Sequence, residues 1–371
     1  MRTHSSIHLH NESDFSASEA TGLQSSADGP VVGIPRGLLY FRYQPLWTTF
    51  FAHLGVAVQV SQPTERSRFE SAQSLTRSDL CLPVKVFLDH VARLKDSVDY
   101  ILLPRVISVS PDAYMCPKIL GLTDMVRNVF PNLPALLTPR INAKLAKPEG
   151  FAGACFEVGH HFDNSPTRVE KAWEAAQKAQ IEFEQRLLSY PLDQALGPWD
   201  ETFSRQDSTA TFQPGYRVAV IGRPYITFDS ALSHDLLNLL KRHGVQIVTP
   251  ESLPREVKDK ESQKLSKQVY WQMGKELVAA AMHYMQRPEV DGIINVSSFG
   301  CGQDSFTNAL VEYYVTKQSS KAYLNLVLDE HTADAGLNTR VEAFLDMVDQ
   351  RTKIGPFGSR AMEEEAEPIS S

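Results

Sequence analysis

Short apolar runs alternate with amphipathic segments along most of this chain, and this alternation constrains the fold more than any other feature. The apolar runs are VVGI, VAVQV, YILL and PALLT in the first half, and RVAVI, VQIVT, GIINV and AYLNLV in the second. Segments with apolar residues at helical spacing lie among them, as in PVKVFLDHVARLKD and SFTNALVEYYVTK. Strands buried on both faces have such continuous apolar runs, so the pattern predicts βαβ units around parallel sheets.

The two halves also resemble each other. VVGIPRGLLYF opens the first half and VAVIGRPYITF the second, and about 70 residues later each has an Asp before a strand, in VDYILLPR and VDGIINVS. Chance similarity of two βαβ units is the alternative to a weak internal duplication. The segment SPTRVEKAWEAAQKAQIEFEQRLLSY predicts a long helix that Ser165 caps, with Pro166 in its first turn. We therefore expect an α/β fold with two Rossmann-like parallel-sheet domains, related by a weak internal duplication and joined by a long connecting helix.

Polar segments divide the chain of 371 residues. Residues 1–30 and the acidic stretch 355–371 hold few large apolar side chains, so they cannot bury enough surface to offset the entropy of ordering. We predict that both are disordered tails. The polar stretch 196–215 is a predicted linker between an N-terminal α/β domain at 31–195 and a C-terminal α/β domain at 216–354.

Composition excludes several classes of partner. The formal net charge is -7, which gives no basic footprint for nucleic acid or for an anionic membrane. No apolar run approaches the ~20 residues that a membrane span requires. The start, MRTHSSIHLHNESDFSAS, lacks the apolar centre of a secretory signal, so we expect a cytoplasmic protein. Four cysteines in 371 residues do not make a disulfide scaffold.

Three of the four cysteines lie at the ends of predicted elements. Cys116 and Cys301 follow equivalent strands, at the carboxyl ends where open α/β sheets bind ligands. Cys81 directly precedes a helix that Pro83 is well placed to open, and a helix amino terminus favours the thiolate that binds metal. Cys155, among small and aromatic neighbours, is assigned to packing.

Spacing alone leaves the role of these cysteines open. The chain has no C-x-x-C, so it lacks a local zinc or thioredoxin signature. Gly300 and Gly302 beside Cys301 would allow close backbone approach to a bound group, and a proline follows Cys116, as it often follows ligands in iron–sulfur proteins. A three-cysteine metal site and buried structural thiols are both compatible with these features.

Longer motifs make the chain similar to one family. In chain order they are GIPRGLLYF, DLCLPVKVFLDHV, DYILLPR, MCPKILGLTDMVR, VIGRPY, SSFGCGQDS and LDEHT. Over about residues 31–350 the chain resembles the CoA-enzyme-activase-related, 2-hydroxyglutaryl-CoA dehydratase-like (benzoyl-CoA reductase-like) iron–sulfur proteins. Related subunits hold a [4Fe-4S] cluster through three cysteines and leave one iron open. The resemblance implies that Cys81, Cys116 and Cys301 are cluster ligands here.

The resemblance also implies a function. The protein would be a dehydratase or reductase component that accepts a low-potential electron from a separate ATP-dependent activase and uses it on an acyl-CoA or another small molecule. The chain has no G-x-x-x-x-G-K-[ST] loop, so we expect the acceptor module and not the ATPase. A homodimer or paired cluster subunit follows by analogy. The alternatives are a non-enzymatic electron-transfer, cluster-carrier or scaffold protein, and a structural zinc protein.

Several basic residues are candidate contacts for a substrate or for the cluster charge. Arg36 and Arg223 occupy equivalent turns after the first strand of each half, where a guanidinium could bind a carboxylate, a CoA phosphate or the cluster, or could form an ion pair. Lys85 and Lys118 follow two of the cysteines, and Arg105 follows a strand. Each of these three could instead be an ordinary solvated side chain.

The remaining candidates are acid–base and aromatic residues. Glu330 and His331 follow the strand AYLNLV and are the predicted proton-transfer pair, with a simple turn as the alternative. Tyr225, like Tyr114, either lines the cleft or packs. His90 is a hydrogen-bonded histidine on a helix face or a fourth metal ligand. HTADAG at 331–336 departs from the family's usual HTGEAG form, which leaves the role of Asp334 open.

Overall fold

The structure is a computed structural model that describes residues 29–76, 80–145, 150–197, 199 and 215–354, with only the backbone at 353 and 354. The predicted tails, apart from residues 29 and 30, lie outside this part of the chain, as does most of the predicted linker 196–215. Disorder of these segments and the proposed domain boundaries therefore stay predictions.

Ten strands lie in the described part of the chain. They are β1 Val31–Ile34, β2 Ala57–Val60, β3 Tyr100–Leu102, β4 Arg105–Ser108, β5 Ala135–Leu137, β6 Arg140–Asn142, β7 Tyr216–Ile221, β8 Val245–Val248, β9 Gly292–Ser298 and β10 Ala322–Leu328. The α-helices among the same residues are α1 Tyr40–His53, α2 Phe69–Ser74, α3 Leu82–Leu94, α4 Pro117–Leu120, α5 Leu122–Val129, α6 Phe151–Gly159, α7 Pro166–Ser189, α8 Leu192–Leu196, α9 Pro224–Thr227, α10 Leu236–Arg242, α11 Arg255–Ser262, α12 Gln272–Tyr284, α13 Gly302–Gln318 and α14 Asp334–Ile354.

The strands form two parallel four-stranded sheets with the same order. The first sheet runs β2-β1-β3-β5 and the second β8-β7-β9-β10. All registered pairs within them are parallel, which confirms the predicted α/β fold class. The shared order is the arrangement that an internal duplication leaves. In each sheet the strand order reverses at the first strand, because the second strand lies on one side of it and the third strand on the other. Open sheets form a ligand-binding crevice at such a switch point.

A small third sheet was not predicted. Strands β4 and β6 pair in parallel beside the first sheet, with a register shift between Val106 and Ser108. Only Val106, Ile141 and two polar side chains, Ser108 and Asn142, are buried in these short strands. So few apolar residues do not stand out as a continuous apolar run.

The predicted long helix is present as α7, which packs against α1. Pro166 occupies its first turn, and Ser165 is the N-cap residue, as predicted. The Ser165 side chain makes no capping hydrogen bond, however, which corrects the predicted mode of capping. Instead, the Asp163 carboxylate accepts the backbone N–H of Ser165 at 2.8 Å and so fixes the chain before the helix.

The two halves share one core and several polar contacts. A single hydrophobic cluster includes Val32 of the first sheet and Val218 of the second. The Arg42 guanidinium binds the Glu276 carboxylate across the halves, and Tyr114 forms a parallel β-bridge with Trp271. These contacts hold the two halves against each other.

Candidate functional site

Cys81, Cys116 and Cys301 share one structural position. Each is the N-cap residue of a helix, and these helices are α3, α4 and α13 respectively. Prolines stand in the first turns of α3 and α4. The first N–H groups of a helix have no partner inside the helix, and the helix dipole favours negative charge there. All three cysteines therefore lie where helix N–H groups point at a bound group.

The three cysteines lie close together. Gly300 adopts a φ of +75°, which glycine tolerates, and a Cβ atom placed on it would lie 3.8 Å from the Cα atom of Cys81. Burial raises the pKa of the Cys81 thiol, Lys118 lowers it, and the neighbouring Cys116 raises it further. Burial also raises the pKa of Cys301 to about 12, with further contributions from Asp304 and Cys81.

Arg223 provides positive charge beside Cys301. Its side chain is 1% exposed, and its Nη2 and Nε donate to Asp304 Oδ1 at 2.6 and 2.8 Å. The turn that carries Arg223 packs tightly on β9, since a Cβ atom on Gly222 would lie 3.1 Å from the carbonyl oxygen of Val296. Arg223 lies at the switch point of the second sheet and lowers the pKa of Cys301.

Two donors near Cys301 lack a partner among the described residues. They are Nη1 of Arg223 and Nε2 of Gln303, both buried, and one buried acceptor, Asp304 Oδ2, also has no partner among these residues. A buried donor without an acceptor is costly, so the two donors fit an anionic group at this position. Three cysteine sulfurs, two unpaired N–H donors and the nearby charge of Lys118 are groups whose chemistry fits an anionic iron–sulfur cluster.

A site for one metal ion is a different requirement. Within the residues that the structure describes, no three His, Cys, Asp or Glu side chains are grouped closely enough to hold a single ion. A cluster of four irons binds each cysteine through a different iron, so its ligands lie further apart than those of one zinc ion.

Tyr225 lies beside the cysteines. It is 6% exposed, and burial raises the pKa of its phenol well above the usual range, with further contributions from Asp304, Cys301 and Cys81. Its O–H is therefore protonated at neutral pH and is available as a donor. Of the predicted contacts, Tyr225, Arg223 and Lys118 are the ones whose charges couple to the cysteines.

Glu330 and Lys85 meet across the two halves. Lys85 Nζ lies 3.5 Å from Glu330 Oε1, and Gln73 Nε2 donates to the same oxygen at 2.5 Å. His331 is exposed, and its backbone N–H donates to Asp329 Oδ1 at 3.0 Å. Asp329 therefore stabilises a turn at the end of β10, as in the alternative interpretation. Glu330 instead forms an ion pair with Lys85.

The other basic and aromatic candidates occupy structural positions. The guanidinium of Arg36 is buried against the ring of Phe41, with its Cζ atom 5.1 Å from the ring centroid. The backbone N–H of Arg36 donates to Ser61 Oγ. Arg105 pairs with Asp124 at 2.8 Å on the surface.

Tyr114 stacks on Tyr270. Asp334, whose role the sequence left open, binds Arg66 and His234. Roles of Arg36 and Arg105 in ligand binding stay predictions.

His90 is hydrogen-bonded at both ring nitrogens. Nδ1 lies 2.9 Å from Ser61 Oγ and 3.1 Å from Arg93 Nη2, and Nε2 lies 3.1 Å from Thr64 Oγ1, which in turn donates to Asp229. Arginine has only donors, so Nδ1 is the acceptor and Nε2–H is the donor. This geometry corresponds to the hydrogen-bonded alternative for His90.

Cys155 occupies the core. It lies in α6 with no exposed surface, and burial raises the pKa of its thiol. The sequence predicted packing for Cys155, but did not predict α6.

Asp304, the partner of Arg223, was not predicted from the sequence. An acidic residue in the first turn after Cys301 is the signal that would have indicated it.

Comparisons with known proteins bear on this arrangement. No curated protein matches the chain. One matching solved structure is an ABC transporter solute-binding protein from Burkholderia multivorans, at 10% identity over 81% of this chain and 98% of that one; its TM-score of 0.19 is too low for a structural argument. No helix in the described residues is long and apolar enough to span a membrane.

A family model described as "CoA enzyme activase uncharacterised domain (DUF2229)" matches residues 31–253. The match covers more than half of the chain and includes Cys81, Cys116 and Arg223, whereas Cys301 follows it. The chain therefore belongs to the CoA enzyme activase uncharacterised domain family.

Proposed function

We propose that this protein is a [4Fe-4S] protein of the 2-hydroxyacyl-CoA dehydratase or benzoyl-CoA reductase type. Its proposed ligands are Cys81, Cys116 and Cys301. The observation that carries the proposal is the convergence of three helix N-termini, each with a cysteine at its N-cap position, beside the loop that follows β9. The family to which the chain belongs links it to CoA enzymes and their activases.

The residues around the cysteines would hold and tune the cluster. Helix N–H groups and the unpaired donors of Arg223 and Gln303 can donate to its sulfur atoms, and Lys118 offsets its negative charge. Burial of Cys81 excludes water. When bound, the cluster would supply low-potential one-electron chemistry and an iron without a protein ligand.

The substrate would be an acyl-CoA or another small reducible molecule, with the electron supplied by a separate ATP-dependent activase. Tyr225 could donate a hydrogen bond to a bound carbonyl oxygen, because its phenol stays protonated. Glu330 and His331 remain our candidates for proton transfer, with Lys85 holding the Glu330 carboxylate. We also propose a cytoplasmic location and a homodimer or paired cluster subunit.

Metal and sulfide analysis tests the proposal. The full chain is purified anaerobically, and its iron, zinc and acid-labile sulfide are measured before and after cluster reconstitution. We expect about four irons and four sulfides per chain and a brown protein whose visible absorption is bleached by dithionite. A colourless protein that holds zinc, or one that holds neither metal after reconstitution, would contradict the proposal.

A cluster carrier is the second candidate. It is favoured by one observation, namely that the Glu330 carboxylate is already engaged by Lys85 and Gln73. The two candidates differ in what happens to reduced protein that is mixed anaerobically with an acyl-CoA. An enzyme converts the acyl-CoA, whereas a carrier is reoxidised only by an acceptor protein.

A further inference from the structure

A cavity separate from the cysteine site lies beside the long helix α7. Its volume is about 550 Å³, within the range of small-molecule sites, and it lies between α1, α7 and the segment after β8. Pro224, which follows Arg223, is part of its wall, but none of the four cysteines lines it. Its apolar wall includes Phe41, Trp173, Ile181, Leu187, Leu188 and Leu253.

Two buried acceptors in this cavity lack a donor. The Gln180 side chain donates from Nε2 to the Arg42 carbonyl at 3.0 Å and to Glu184 Oε1 at 2.9 Å, so its Oε1 is an acceptor. Among the described residues, neither Gln180 Oε1 nor Glu251 Oε2 has a hydrogen-bond partner. Gln180 is 7% exposed and the Glu251 side chain 8%, so water has little access to either.

Three cations, Arg42, Arg255 and Lys258, line the cavity, but among the described residues none of them hydrogen-bonds to Glu251 Oε2. The Arg42 guanidinium hydrogen-bonds to Glu276, and its Nη2 lies 3.9 Å from Glu251 Oε1. Lys258 Nζ donates to the carbonyl of Pro250 at 3.1 Å. A ligand that brings its own positive donor would therefore complete the polar side of the cavity.

The opposite side is open and apolar. Ile181 and Leu188 on α7 are 48% and 43% exposed, so the cavity has an apolar rim through which a ligand can enter. We infer that this cavity binds a small amphiphilic amine, whose primary ammonium donates to Glu251 and Gln180 while its apolar chain lies along α7. This inference does not depend on the proposed function of the cysteines.

Three probes of equal length test the inference on the full chain. They are n-hexylammonium, n-hexanol and n-hexanoate, and their binding is measured by calorimetry and by ligand-observed NMR. We expect saturable binding of the ammonium, with the alcohol weaker and the carboxylate at least about tenfold weaker. Equal or tighter binding of the carboxylate, or no saturable binding of any probe, would overturn the inference.

Variants locate the site. Glu251→Gln and Gln180→Met should each weaken n-hexylammonium binding, the first by about tenfold, because each removes an acceptor without a large change of volume. Glu289→Gln, at a carboxylate that is 48% exposed and outside this cavity, is the matched control and should bind as the unmodified chain does. Circular dichroism checks that each variant is folded, and Gln180→Met carries the test if Glu251→Gln is not. Unchanged binding in a folded variant of either residue would refute the assignment.

Discussion

Arg223 and Asp304 form a buried charged pair next to Cys301. Their side chains are 1% and 3% exposed, and the carboxylate accepts two hydrogen bonds from the guanidinium. Charges buried this deeply are tolerated because each has its partner. In the absence of a bound cluster, Asp304 is therefore the group that keeps Arg223 in place.

Asp304→Asn should lower the free energy of unfolding of the metal-free protein by ~3 kcal/mol, because Arg223 stays buried without its anion. The matched control is Asp124→Asn, which removes the partner of Arg105 from a solvent-exposed surface pair and should cost far less than Asp304→Asn. Denaturant unfolding measures both. Equal losses would show that the Arg223 pair has no special structural role.

His90 makes stability depend on pH. Burial and the nearby cations Arg93, Arg36 and Arg68 hold the pKa of His90 well below its usual 6.5. The unfolded chain therefore takes up a proton near pH 6.5 that the folded chain refuses, so stability is full above this pH and falls below it. The slope from this residue is about 1.4 kcal/mol per pH unit.

His90→Gln should be less stable than the unmodified chain at pH 7.5, because it loses hydrogen bonds to Ser61 or Thr64. The difference between the two proteins should shrink as pH falls from 6.5 to 5. Free energies of unfolding measured across this range check the trend. A difference that stays constant or widens toward acid would contradict a neutral His90.

Individual residues were predictable where their neighbours in sequence define their positions. Apolar strands and helix-opening prolines mark the ends of the strands and helices at which Cys81, Cys116 and Cys301 lie. The contact of Thr64 with Asp229 joins residues 165 positions apart, and neither has a local signal. Such partners depend on how the two sheets are placed, which one sequence does not specify.

At the scale of elements, the eight apolar runs that were predicted to be strands form the strands of the two four-stranded sheets. Element boundaries were less predictable, because local backbone geometry interrupts the helical pattern. The segment ALSHDLLNLLKRHG reads as one helix, but His234 and Asp235 adopt left-handed conformations, and α10 begins only at Leu236. Residues 260–287 also have helical spacing, but they include only the end of α11 and then α12, which begins at Gln272.

The loop between β9 and α13 provides an element-scale prediction. Gly300 has a φ of +75°, whereas a Cβ atom on Gly302 meets nothing within 4 Å. Gly300→Ala should therefore lower the free energy of unfolding of the metal-free protein by about 1 kcal/mol, and Gly302→Ala should change it by less than about 0.5 kcal/mol. Thermal and denaturant unfolding distinguish the two. A larger loss at Gly302 would mean that the loop has another conformation.

At the scale of the molecule, buried polar pairs hold the two halves together. Glu276 is the clearest case. Burial alone would raise its pKa, but Arg42 and Lys258 hold the pKa at about 2. Its contribution to stability is therefore complete above the usual pKa of 4.5 and is lost as pH falls from 4.5 toward 2.

Arg42→Met should cost ~3–5 kcal/mol, because it leaves the buried Glu276 carboxylate without the cation that it binds, with only the Gln272 amide donating to it. The double variant Arg42→Met, Glu276→Met should recover more than half of this loss, since apolar side chains replace both charges. Denaturant unfolding at pH 7 compares the two. A double variant that is less stable than the single one would show that the ion pair itself, and not the stranded charge, sets the stability.

The most direct test of the proposed cluster is iron retention in a cysteine series. Each of the four cysteines is changed to Ala in the full chain, and iron and acid-labile sulfide are measured after the same anaerobic reconstitution. We expect loss of the cluster from Cys81→Ala, Cys116→Ala and Cys301→Ala. Cys155→Ala, in the core, should keep the iron content of the unmodified chain despite lower stability. Retention of a full cluster without Cys81, Cys116 or Cys301, or its loss without Cys155, would contradict the account.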